Sequence, residues 1–194
     1  MDMEFDILTP FNDEKPEQDS IWADVVPIIL KDSIYHCYIH DEITEPADYS
    51  KLCLLLRTVE PDKQVYLYLN TPGGNLASVF GIIDAMIACK ADITAILSGT
   101  VSSGGTMITM YADHIEVSPF VSFMIHYYSS GLYGKGNEIR DQVKFIEGYL
   151  PAAYQSMYKQ FLTPKEIKEI VDGRDMWMGM SEIIDRWAKR VQND

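Results

Sequence analysis

The chain has 194 residues, with 16 Lys and Arg against 29 Asp and Glu, a formal net charge of −13. Hydrophobic residues make up 47% and charged residues 23%, the make-up of one globular domain with a real core and not of a collagenous or disordered chain. The acidity argues against binding nucleic acid or an anionic membrane, because no basic stripe is present to meet phosphates.

The first 24 residues hold eight acids and one base, Lys15, with Pro10 and Pro16 interrupting any helix. Residues 1–27 therefore read as an acidic arm and 28–194 as the folded domain. An acidic N-terminus does not suit a signal peptide, no run is apolar enough to span a bilayer, and Cys37, Cys53 and Cys89 form neither a disulfide framework nor a zinc knuckle. These features predict a soluble protein of a reducing, cytoplasmic compartment.

From Ile28 onward, IILKDSIYHCYIHDEI predicts a strand pair or one strand after a turn. ADYSKLCLLLRTVE has helical spacing, and QVYLYLN is a β-rich run stopped by TPGGN. LASVFGIIDAMIACK has an apolar face at i, i+3, i+4 intervals, DITAILSG is another short strand, and SSGGTMITMYA opens a buried helix on a glycine-rich turn. HIEVSPFVSFMIHYY predicts two strand pieces around Pro119. The run from Asn137 to Phe161 predicts a long amphipathic helix kinked at Pro151. Thr163 and Pro164 cap a short helix, and Ser181 is the candidate cap of the last one. The alternation of strand and helix predicts an α/β fold with a parallel sheet covered by helices.

Two glycine turns stand out. Thr71-Pro72-Gly73-Gly74 lies between a strand and a helix, where a glycine can leave its N–H facing a ligand, or can simply make a turn. The second, Gly99 to Thr106, approaches the phosphate loop but has Gly105 where the lysine belongs. It could instead place a hydroxyl, Ser102 or Ser103, at a helix N-terminus, with nearby N–H groups for an oxyanion. Of the four histidines, His36 and His40 are too far apart along a strand to share a metal ion, and His114 reads as surface. His126 follows the apolar run VSFMI at the C-terminal end of a strand, where α/β sheets place their sites. Asp172, Asp175 and Asp185 are candidates to orient its ring, with Asp175 in a loop before an apolar segment. The G-x-S-x-G elbow is absent, since Val101 replaces its first glycine.

In order, YLYLNTPGG, SGTVSSGGT, MIHYY and GRDMWM resemble the motifs YINSPGG, GQAASMGA, MIHQP and D/ERDxFM of the Clp protease proteolytic subunit (ClpP) family. The resemblance spans roughly residues 28–190. It implies a ClpP/crotonase-like fold of repeated β-β-α and βαβ units with a protruding handle at about 131–160. It further implies a serine endopeptidase with Ser103 as nucleophile, His126 as general base, Asp175 as third triad member, and Gly74 and Gly104 as oxyanion-hole donors. Tyr66 and Tyr68 fall on positions where, in the family, an unfoldase docks. No metal or cofactor is implied. The implied partners are further copies of the chain, as heptameric rings stacked into a tetradecamer, an AAA+ unfoldase of the ClpX, ClpA or ClpC type, and unfolded protein or peptide as substrate. The handle face of Ile139, Val143, Ile146 and Leu150 would then pack on a neighbouring copy rather than only on the chain's own core.

The departures are Ser102 and Gly104 flanking the nucleophile position, Gly173 where the family often has an acid, and the long acidic arm. They suit a divergent or phage-encoded member. The competing expectations are a catalytically impaired structural ring subunit, a phage head-maturation or signal-peptide-peptidase-like protease using Ser–Lys chemistry, and, more distantly, a crotonase-like acyl-CoA enzyme.

Overall fold

The computed structural model describes residues 25–131 and 133–191; the arm over 1–24, Leu132 of the handle segment and the last three residues lie outside it. Val26 is buried in the core, and the Pro27 carbonyl accepts a hydrogen bond from the Tyr38 N–H at 3.1 Å. β1 (Ile28–Lys31) then turns through Asp32 and Ser33, both at positive φ, into an antiparallel β2 (Ile34–Ile39). Two central residues at positive φ make the tight hairpin whose twist matches that of the strands.

β2 is followed by a short 3-10 turn and α1 (Ser50–Thr58), then β3 (Gln64–Thr71), α2 (Leu76–Ile87) and β4 (Asp92–Ser102). α3 (Gly104–Thr109) leads to β5 (His114–Val117) and β6 (Ser122–Ile125). The sheet order is β1-β2-β3-β4-β6, closed beyond β6 by a short last strand, β7 (Met176–Met178), with β5 also on β4, and all pairs from β2 to β6 are parallel. Parallel neighbours require crossovers, which the helices supply. The two strand pieces around Pro119 lie end to end along the eleven-residue β4: Thr94–Leu97 pairs with β5 and Thr100–Ser102 with β6. Between them the β3–β4 register shifts, and the Asn70 side chain accepts from the Thr100 N–H at 2.9 Å in place of the ladder.

Burial alternates along the central strands. Val65, Leu67, Leu69 and Thr71 of β3, and Ile93, Ala95 and Leu97 of β4, form one core with Leu52 and Leu56 of α1 and Val79, Ile82 and Met86 of α2. The other face presents Tyr66, Tyr68 and Ile96, all half-buried. A parallel sheet is normally covered on both faces. Over β2, β3 and the first half of β4 the expected helical cover is therefore one-sided.

α4 (Gly136–Tyr158) continues as one helix through Pro151. Its C-terminal half buries Leu150, Tyr154 and Tyr158, whereas Phe145 in the first half is 70% exposed and its ring touches that of Tyr149. Leu150 thus belongs to the chain's own core. α5 (Pro164–Val171) has the expected cap, with Thr163 Oγ1 accepting from the Glu166 N–H and Glu166 accepting from the Thr163 N–H. α6 (Met180–Val191) starts one residue before Ser181, which lies inside the helix; the Gly179 carbonyl accepts the first bond, from Ile183. Arg186 of α6 reaches both oxygens of Glu166, at 2.7 and 3.1 Å, and ties the two helices together.

Candidate active site

The apolar segment after the loop that carries Asp175 forms an additional strand, β7 (Met176–Met178), antiparallel to β6 with Ile125 opposite Met176. The ladder ends at that pair, and His126 and Asp175 are the next residue on each chain, just beyond it. On the other side of β6, Ser102 of β4 lies opposite Met124, and the Ser103 N–H donates to the Met124 carbonyl at 2.9 Å. Ser103, His126 and Asp175 therefore occupy the same end of three adjacent strands.

Ser103 stands at the strand-to-helix turn with φ +52° and ψ −120°. A non-glycine residue there is strained and persists only where its surroundings hold it. Here its N–H is bound to β6 while its carbonyl accepts from the Thr106 N–H at 2.9 Å and from Thr106 Oγ1 at 2.7 Å. The absent G-x-S-x-G pattern argued against an elbow, yet the main chain makes a sharp strand–turn–helix around a serine. Ser103 is half-exposed, whereas Ser102 is 3% exposed, which makes Ser103 the more accessible of the two hydroxyls.

Clearance around the turn is supplied by glycines. A Cβ on Gly73 would lie 2.6 Å from the Ser103 Cβ and 2.8 Å from the Gly104 nitrogen. A Cβ on Gly104 would meet Val79 at 2.5 Å, and one on Gly105 would meet Thr71 at 2.7 Å. The small residues thus serve tight packing of α3 and also bring the Thr71–Gly74 turn against the serine. Ile43 fixes that turn: its N–H donates to the Gly73 carbonyl at 2.8 Å and its carbonyl accepts from the Asn75 N–H at 2.7 Å. A peptide plane points its oxygen and its N–H to opposite sides, so the Gly74 N–H is directed away from Ile43. The Gly104 N–H belongs to the first turn of α3, where amides have no partner within the helix.

Among the described residues, no side-chain hydrogen bond links Ser103, His126 and Asp175. Each directly adjoins the end of a paired strand. Asp172 forms an ion pair with Lys168, and Arg174 with Glu169, so the loop carrying Asp175 is braced by α5. Asp185 lies exposed on α6 and His114 exposed at the start of β5. Tyr66 and Tyr68 sit on the outward face of β3 beside His36, Tyr38 and His40. Tyr68 stacks on Tyr38 at 4.4 Å between ring centroids and its hydroxyl is 2.9 Å from His36 Nδ1. Burial, aided by Lys31, lowers the His36 pKa, and burial lowers that of His40. A cleft of about 460 Å³ bounded by Met110, Asp113, Met157, Trp187 and Arg190 includes none of these candidates.

Residues that the sequence reading passed over hold the site's frame. Asn75 caps α2 by accepting from the Ala77 and Ser78 N–H groups. Thr71 Oγ1 donates to the Asp41 carbonyl at 2.6 Å and accepts from the Gly73 N–H at 3.0 Å. An Asn directly before a helical apolar run was a readable cap signal. The role of Thr71 depends on Asp41, thirty positions away, and had none.

Comparison with known proteins gives a consistent answer. The family model described as Clp protease matches residues 17–186. An ATP-dependent Clp protease proteolytic subunit of Streptococcus suis (strain 98HAH33) is 32% identical over 138 residues, 68% of this chain and 69% of that protein. Proteolytic subunit 1 of Prochlorococcus marinus (strain NATL2A) is 31% identical, covering 68% of each. Proteolytic subunit 1 of Shouchella clausii (strain KSM-K16) is 30% identical over 60% of this chain and 61% of its own length. With a family match running from the arm to α6 around this mixed α/β sheet, the chain belongs to the Clp protease family.

Proposed function

We propose that the chain is a serine endopeptidase that hydrolyses peptide bonds of unfolded proteins or peptides, with Ser103, His126 and Asp175 as its triad. What supports this reading is that those residues adjoin the same end of β4, β6 and β7, with the glycine turn at Gly73 packed against Ser103. In the reaction, His126 takes the Ser103 proton as the hydroxyl attacks the scissile carbonyl, then returns it to the leaving amine. Asp175 holds the imidazole tautomer and stabilises its charged form. The Gly74 and Gly104 N–H groups receive the oxyanion, a contribution of about 3 kcal/mol per donor. Water then releases the acyl group from Ser103.

The reading extends to assembly. The uncovered half of a parallel sheet face and the exposed first half of α4, with Phe145 and Tyr149, are surfaces that a second copy would cover. They support rings stacked through the handle as a tetradecamer, enclosing the sites. The aromatic group of Tyr66, Tyr68, His36 and Tyr38 supports docking of an AAA+ unfoldase, and the compartment in this reading is the cytoplasm. Among the described residues no helix is long and apolar enough to cross a membrane.

The test combines native mass with a fluorophosphonate probe. The assembled wild type should be labelled at Ser103 and cleave peptides, and Ser103→Ala should lose both. A wild-type particle that stays unlabelled and inert would reduce the protein to a structural ring subunit. Activity retained by His126→Ala would replace the triad with Ser–Lys chemistry.

A further inference from the structure

The second half of α4 carries two buried tyrosines one turn apart, Tyr154 and Tyr158. The Tyr154 hydroxyl donates to the His126 carbonyl at 2.8 Å. The Tyr158 hydroxyl lies 2.7 Å from Thr106 Oγ1, which in turn lies 2.7 Å from the Ser103 carbonyl. A carbonyl has no proton to give, so Thr106 spends its single proton on Ser103 and Tyr158 must be the donor to Thr106. The relay runs Tyr158 O–H to Thr106 O–H to the Ser103 carbonyl, and such chains polarise each bond in turn. Residues at i and i+4 share one helix face, so a single face of α4 grips the main chain of both Ser103 and His126. Burial pushes both phenols well above their ordinary pKa, which keeps them donors at any working pH.

We propose that Tyr154 and Tyr158 are positioning residues, setting the separation of the Ser103 and His126 main chains so that hydroxyl and imidazole meet in reactive geometry. The inference rests on the triad reading above. It gives the handle helix a part in the chemistry of its own subunit, through hydroxyl groups that touch no substrate. Main-chain displacements well below 1 Å at either residue lengthen the Ser103–His126 approach, and misplacement of about 1 Å is worth up to 100-fold in rate.

The test uses the full chain in its native assembly. Tyr154→Phe and Tyr158→Phe each keep the ring and remove one hydroxyl. Each should lower kcat for a short peptide and the rate of fluorophosphonate labelling about tenfold, with KM within about twofold and native mass and circular dichroism unchanged. Tyr133→Phe, fully exposed beyond the site, should match the wild type. Wild-type labelling that both variants reproduce within twofold overturns the inference while the triad stands. A loss of rate that only follows loss of assembled protein also overturns it. A wild type that never labels overturns the triad reading and this inference with it.

Discussion

Gly73→Ala should be among the most damaging single-methyl additions in the molecule. Gly73 sits at φ +93°, and its added Cβ would fall 2.6 Å from the Ser103 Cβ and 2.8 Å from both the Gly104 nitrogen and the Ser102 carbonyl oxygen. Two of those atoms are main chain and cannot rotate aside. A sparsely populated backbone region costs a side-chain-bearing residue about 1–3 kcal/mol, and forced overpacking costs about 1–3 kcal/mol more. The sum, roughly 4 kcal/mol, is a large share of a domain's usual stability of about 5–15 kcal/mol. The strain would be relieved by pushing Ser103 away, so hydrolysis and probe labelling should fall by about 100-fold or more in whatever remains folded. Gly81→Ala is the matching control: it lies within α2 with no atom within 4 Å of its added Cβ, and should stabilise by about 0.5–1 kcal/mol. Urea unfolding at fixed protein concentration, followed by circular dichroism, measures both changes. Wild-type stability and labelling in Gly73→Ala would refute the packing of this turn on the serine.

Glu166 gives a pH prediction. Its hydrogen bonds to Arg186, with help from Thr163, hold its pKa at about 2 against an ordinary 4.5. A carboxylate depressed in the folded state contributes stability above its unfolded pKa and loses it as pH falls from about 4.5 toward 2. The full difference would be about 3 kcal/mol, which solvent contact at this pair reduces to about 1–2 kcal/mol. Glu166→Gln should therefore lower the urea midpoint at pH 7 and flatten its decline below pH 4.5; an unchanged acid limb would count against the pair. Asn75→Ala removes the acceptor of two α2 N–H groups and should cost about 1 kcal/mol in the same assay. A null result there would mean that water replaces the cap.

The parts legible in the sequence were those whose signal is local. TPGG at a strand end, SSGGT at a helix start and MIH after an apolar run each announce their element within a few residues. β7 was not legible, because the three residues of MWM acquire strand character only by pairing with β6, about fifty positions earlier. Ser181 was misread as a cap since the helix gains one residue from Gly179. Leu150 fits an amphipathic stripe, but that stripe continues from an exposed half-helix into the core, and periodicity alone does not mark where the change occurs. A parallel sheet covered by helices was expected from strand–helix alternation; the burial pattern of β3 and β4 shows that alternation says how strands connect, not which faces the helices cover.

The three-residue β7 also decides which face Asp175 occupies. Side chains alternate along a strand, and a slip of one residue exchanges the faces completely. Met176 and Met178 are buried against Phe123 and Ile125, while Trp177, opposite Met124, is 61% exposed. Continuing the alternation past either strand end puts Asp175 with Trp177, and His126 with Met124, on the same face. In the proposed triad, the two buried methionines would therefore select the face on which the Asp175 carboxylate could meet the His126 imidazole. On that reading an aspartate 72 positions from the serine would be positioned by the burial of its neighbours, which fixes the register of β7.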